Sequence, residues 1–147
     1  RNHAYHLGGN LPSKLTTDSI SIELCNFGQL TQRNGKFYTY TNAECPKNQV
    51  LELPKSFRGH KFWHKYSNAQ IQALKDLLID IGKRNGISIS KGLPALLKTQ
   101  DPYLALELNS NLCKGIINHG IWSHTNVGLD KVDIFPQPEM INMLKSL

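Results

Sequence analysis

Cysteine is sparse in this 147-residue chain, and its three copies, Cys25, Cys45 and Cys113, stand far apart with no CxxC pair. An odd number at such spacings excludes a disulfide framework and a cysteine-rich zinc module, and it predicts reduced, mostly structural thiols. Long apolar runs are missing too. Each is broken by a charge or a proline, which excludes a membrane-spanning helix. The formal charge is +6, from 17 Lys plus Arg against 11 Asp plus Glu, yet no basic block exceeds the pair Lys83-Arg84. A net positive charge favours polyanionic surroundings such as nucleic acid, acidic membranes or a wall carrying anionic polymers. The lack of a basic run weakens the nucleic-acid option, and Lys83-Arg84 is suited to complementing a helix C-terminus. Ser123 has no nucleophile-elbow glycines around it, which argues against serine hydrolysis. Internal repeats and low-complexity tracts are absent. The opening RNHAYH carries neither an initiator Met nor an apolar signal region, and a processing point or boundary is expected there.

What is present fits one compact domain over residues 1–147, since 39% hydrophobic residues and 8% aromatics suffice for an ordinary core. LGGNLPSKLTTD, residues 7–18, is rich in turn formers and reads as a loop. SISIELC, residues 19–25, alternates Ile20, Ile22 and Leu24 against Ser19, Ser21 and Glu23, the period of a half-buried strand. Residues 29–62 hold an Asn34-Gly35 turn, KFYTYT and VLEL, and predict a β-rich insertion beside the main sheet. YSNAQIQALKDLLIDIGKRNG then predicts a long helix. Ser67 and Gln70 form a capping box, Ile71, Leu74, Leu77, Leu78 and Ile81 make one stripe, Asp80 and Arg84 pair, and Gly86 suits the stop. A short strand is expected at Ile87 and Ile89, and a β-prone run near 116–122. A last helix is expected to start near Pro136 or Pro138, with Met140, Ile141, Met143 and Leu144 inward. The fold class that follows is α/β, a mixed central sheet flanked by helices.

In GIWSHTNVGLDKVDIFPQPEMINML, residues 120–144, His124, Lys131 and Asp133 stand within ten positions. Zinc in hydrolases takes three protein ligands and leaves one position for water, and a strand end with its following loop can bring a His and an Asp to one ion. Two solvated side chains satisfy the same spacing. Trp63, His64 and Tyr66, ahead of the long helix, have faces suited to stacking on sugar rings. Trp63 equally suits packing at the helix N-terminus.

SISIEL, YSNAQIQALKDLL and WSHTNVGLDKVD, in this order, resemble three blocks of the zinc-dependent N-acetylmuramoyl-L-alanine amidases, a family that includes phage lysozyme-type amidases and peptidoglycan-recognition proteins. The resemblance covers nearly the whole chain apart from residues 29–62. It implies that His124 and Asp133 are zinc ligands and that Lys131 steadies developing negative charge, where a surface lysine is the alternative. It implies that Glu23 is the general base that many members use, although some use a tyrosine elsewhere, and a polar-face strand residue is the alternative. His6, in AYHLGG, resembles a histidine of the family's A-W-H-A-G block that lines the substrate cleft. Trp63 is the further candidate for substrate contact.

The chain departs from the family pattern in two places. The family's first zinc ligand is a histidine ending a central strand upstream of the A-W-H-A-G block, so the N-terminal part of the domain is expected to lie outside this chain. IFPQPE also stands where many relatives have P-G-P. The implied function is hydrolysis, by zinc-activated water, of the amide between N-acetylmuramic acid and L-alanine in peptidoglycan. Such an enzyme acts at the bacterial cell wall as a phage lysin or a secreted or periplasmic protein. The alternative is a peptidoglycan-binding module of the same fold without hydrolysis. Neither version needs nucleic acid as a partner.

Overall fold

The computed structural model describes residues 11–147. They form an α/β structure of a five-stranded antiparallel sheet and helices. A short helix, α1 (Ser13–Thr17), replaces part of the expected loop. The strands follow: β1 (Gln29–Arg33), β2 (Lys36–Tyr38), β3 (Glu44–Cys45), β4 (Val50–Phe57) and β5 (His60–His64), in spatial order β3-β2-β1-β5-β4.

The sheet therefore lies wholly within the segment expected to be an insertion, extended by two residues to His64. Every pairing within it is antiparallel, for instance Thr31 with Tyr38, Gln29 with Trp63 and Leu51 with Trp63. A mixed sheet was expected. The parallel component among the described residues is a single bridge between Gly92 and Ile121. Two hairpins organise the sheet. Asn34-Gly35 turns β1 into β2 with φ of 49° and 76°, and Arg58-Gly59 turns β4 into β5 with φ of 49° and 82°. Positive φ at both central residues gives the turn a twist that matches that of the flanking strands.

Side chains alternate across the sheet as the pleat requires. Leu53, Phe57 and Trp63 face the helices and join the main core, while Leu30, Phe37 and Cys45 form a smaller cluster with Val50 and Phe62 on the other face.

The long helix α2 runs Asn68–Asn85. Ser67 Oγ accepts the Gln70 N–H at 3.2 Å, and Gln70 Oε1 accepts the Ser67 N–H at 3.0 Å, so two orphan donors are satisfied reciprocally. Gly86, at φ 66°, ends the helix in the left-handed region. Ile71 and Leu78 are buried, Leu74 and Ile81 half-buried, and Arg84 Nε meets Asp80 at 2.9 Å. Leu77, expected on the inward stripe, is exposed because it lies at the stripe's edge, where no described element covers it. Ser67→Ala is expected to lower stability by about 1 kcal/mol, read as a fall in the urea midpoint without a change in slope.

Ile87 and Ile89 form no strand. Their backbone folds back on α2, with Ile87 N–H donating to Gly82 O at 2.9 Å. A Cβ on Gly82 would lie 2.5 Å from Ile89 Cγ2, so glycine allows this close approach. Three short helices follow: α3 (Leu93–Thr99), α4 (Pro102–Ala105) and α5 (Ser110–Cys113). The run near 116–122 contributes only the Ile121 bridge. The last helix, α6 (Pro138–Lys145), starts on a proline and buries Met140, Ile141, Met143 and Leu144. Among the described residues no helix is long and apolar enough to cross a membrane.

Candidate functional site

The segment after Ile121 is shaped by one buried amide. Asn126, fully buried, accepts the Ser123 N–H at 3.2 Å through Oδ1, and its Nδ2 donates to Ala105 O and Glu107 O, both at 2.9 Å. These bonds close a single 3₁₀ turn over His124–Asn126 and pin it to the last residue of α4 and the chain just after it. The Thr125 N–H donates to Asp133 O at 3.2 Å, so the two ends of the 124–133 loop are tied together. His124 Nδ1 and Asp133 Oδ2 then stand 2.8 Å apart. His124 and Asp133 are thus neighbours although eight residues of chain lie between them.

Glu23, Tyr66, His124, Lys131 and Asp133 line one cleft of about 340 Å³. Glu23 comes from residues 19–25, where alternation predicted a strand. The alternation holds in exposure over residues 21–25, with Ser21, Glu23 and Cys25 exposed and Ile22 and Leu24 half-buried, but Ile20, expected on the apolar face, is exposed and the segment joins no ladder. Among the described residues no hydrogen bond reaches a backbone N–H of residues 20–25. Its far end is anchored instead. Gln70 Nε2 donates to Cys25 O at 2.8 Å, and Asn26 Nδ2 donates to His64 O at 2.9 Å. A second, more apolar cleft of about 700 Å³ separates this segment from Ile121 and Trp122, and it is also lined by His124 and Asp133.

Lys131 lies at the cleft wall with its ammonium 3.6 Å from Asp130 Oδ2. Phe27 and Tyr40, both exposed, stand at the same cleft. Tyr66, expected from the sequence as a sugar-stacking ring, turns its face to the core instead. It is buried and stacks on Phe135 at 5.0 Å. Burial, reinforced by the negative charge of Asp133, holds its phenol well above the ordinary value. A neutral phenol donates a hydrogen bond and does not act as a base. Gln137 fixes Tyr66 from the opposite side, accepting its N–H at 2.8 Å and donating to its carbonyl at 2.9 Å.

Trp63 does not belong to the cleft, contrary to the expectation of a substrate contact. It is fully buried, its ring stacks on Phe135 at 4.6 Å, and its indole N–H donates to His60 O at 3.2 Å. His6 lies outside the described residues. The donor chemistry of His124 and Asp133, one nitrogen and one carboxylate, suits zinc. Among the described residues no group of three or more His, Cys, Asp or Glu gathers around one point. Cys25, Cys45 and Cys113 are all free thiols. Comparisons with family models, with curated proteins and with solved structures give no match.

Proposed function

We propose that the chain belongs to a zinc-dependent N-acetylmuramoyl-L-alanine amidase domain that hydrolyses the amide between N-acetylmuramic acid and L-alanine in peptidoglycan. The observation that supports this most is the 2.8 Å approach of His124 and Asp133 in a cleft that also holds Glu23 and Lys131. His124 and Asp133 would hold the zinc. When bound, the ion supplies Lewis acidity and lowers the pKa of its water to about 7. Glu23 would act as the general base toward a water in the cleft and as the general acid toward the leaving amine. Lys131 donates to the tetrahedral oxyanion. The phenol of Tyr66, neutral beside Asp133, can supply a second donor.

The family's enzymes use one further histidine, carried on a central strand. The apolar cleft between residues 20–24 and 121–122 suits such a strand, because residues 20–24 offer backbone N–H groups with no partner among the described residues, and His124 and Asp133 lie on the same cleft.

The test is release of new amino ends on L-alanine from purified sacculi by the full-length protein. The expected result is activity that chelator abolishes and added Zn²⁺ restores. If full-length protein loaded with zinc releases none, the enzyme reading fails. The second reading, a peptidoglycan-binding module of the same fold, rests on the two-donor set among the described residues. It predicts that the same protein pulls down with sacculi and leaves them intact.

A further inference from the structure

Arg58 sits at the tip of the β4–β5 hairpin, in the first central position of a two-residue turn at φ 49°. Asparagine, aspartate or glycine is the usual occupant there, because a larger side chain strains the left-handed backbone. Its Nε is also buried without a hydrogen-bond partner. Two local penalties at one residue call for a compensating role, and the guanidinium supplies it. Nη1 donates to Leu129 O at 2.9 Å and Nη2 to Thr125 O at 3.1 Å, with Glu107 Oε2 3.4 Å from Nη2. The side chain is 11% exposed. Both carbonyls belong to the loop between His124 and Asp133, and Thr125 is the residue whose N–H binds Asp133 O.

We propose that Arg58 is a positioning residue: reaching from the sheet, it clamps the 124–133 loop so that His124 and Asp133 are held at one point. The metal-binding consequence rests on the amidase reading above, whereas the clamp itself does not. Planar guanidinium geometry matters here, since one group must reach two carbonyls of the loop at once.

The discriminating variant is Arg58→Asn, which removes the guanidinium while giving the turn its preferred Asn-Gly pair. Hydrogen exchange of the full chain is expected to show β4 and β5 amides as protected as before. The Thr125, Val127 and Gly128 amides should exchange about tenfold faster or more. Zinc affinity, measured by competition with a chromophoric chelator, should fall on the order of 10- to 100-fold, as for other residues that support metal ligands. Arg58→Lys keeps the charge but not the fork and should give the same loosening. If exchange in 124–133 stays within about twofold of wild type in a folded variant, the clamp is refuted. If both variants unfold globally, Arg58 is a general stability residue and the proposal is equally overturned. Should wild-type protein bind no zinc, the amidase reading falls, and the exchange data still decide the role of Arg58.

Discussion

His124→Ala is expected, on the amidase reading proposed above, to lower zinc affinity by at least about 100-fold and to reduce amide hydrolysis to background. Substitutions that merely support a ligand already cost on the order of 10- to 100-fold, and loss of a ligand exceeds that. Among the described residues the His124 ring has one polar contact, the 2.8 Å bond to Asp133, and its side chain is 23% exposed. Its removal leaves the fold close to intact, so global stability should change by no more than about 0.5 kcal/mol. That separation between unchanged melting and lost metal is the signature of a ligand. Asp133→Asn is the informative companion, because an amide preserves a hydrogen bond to the imidazole but brings no negative charge to the ion. Competitive chelator titration on full-length protein, beside release of amino ends from sacculi, checks both variants. Zinc held at wild-type affinity by His124→Ala would remove His124 from the ligand set.

Trp63→Ala carries the largest expected stability effect, about 3–5 kcal/mol. Its indole joins a continuous aromatic stack in which Trp63 lies on Phe135 at 4.6 Å and Phe135 on Tyr66 at 5.0 Å, and Phe57 packs from the side at 6.0 Å. Truncation would leave a cavity at the junction of β5 and the helix layer, and would leave His60 O without its indole donor. A domain of this size has a total stability of about 5–15 kcal/mol, so the variant forfeits a large part of it. Denaturant unfolding measures the loss. Trp63→Phe, which keeps a stacking ring and gives up the hydrogen bond, should fall between the two. A sugar-stacking Trp63 would behave oppositely, with unchanged stability and a raised KM.

Where periodicity and local chemistry coincide, the sequence was legible. α2 shows a capping box, an apolar stripe and a glycine stop, and it forms between the bounds that these imply. α6 follows from proline at its first turn and from inward spacing of its apolar residues. The Asn34-Gly35 turn has the composition that its positive φ values require. The sheet was harder to place because β1 reads QLTQR, where only Leu30 is buried, so alternation is faint. SISIEL shows the reverse. Alternation reports which side chains face apolar surroundings, whereas a ladder needs a neighbouring strand, and none of the described elements pairs with residues 19–25. Within the site, a family resemblance marked His124, Lys131, Asp133 and Glu23, and all four line one cleft. Tyr66 was read as a stacking face, but its raised pKa comes first from burial and then from the charge of Asp133, 67 positions away, and neither is visible in the local sequence. Arg58-Gly59 lacked the usual turn signature, since an arginine occupies the place of asparagine.

The order β3-β2-β1-β5-β4 also bears on how the chain reaches this structure. β1, β2 and β3 are successive neighbours, and β4 and β5 form a hairpin, so three of the four strand pairings join segments adjacent in sequence. Only β1 with β5 closes a longer loop. Low contact order of this kind makes loop closure entropically cheap and lets a sheet assemble early. The 124–133 loop, which must wait for a hairpin tip some 70 residues earlier in the chain, is then among the last parts to settle. Its contacts are accordingly expected to govern the rate of unfolding more than the rate of folding.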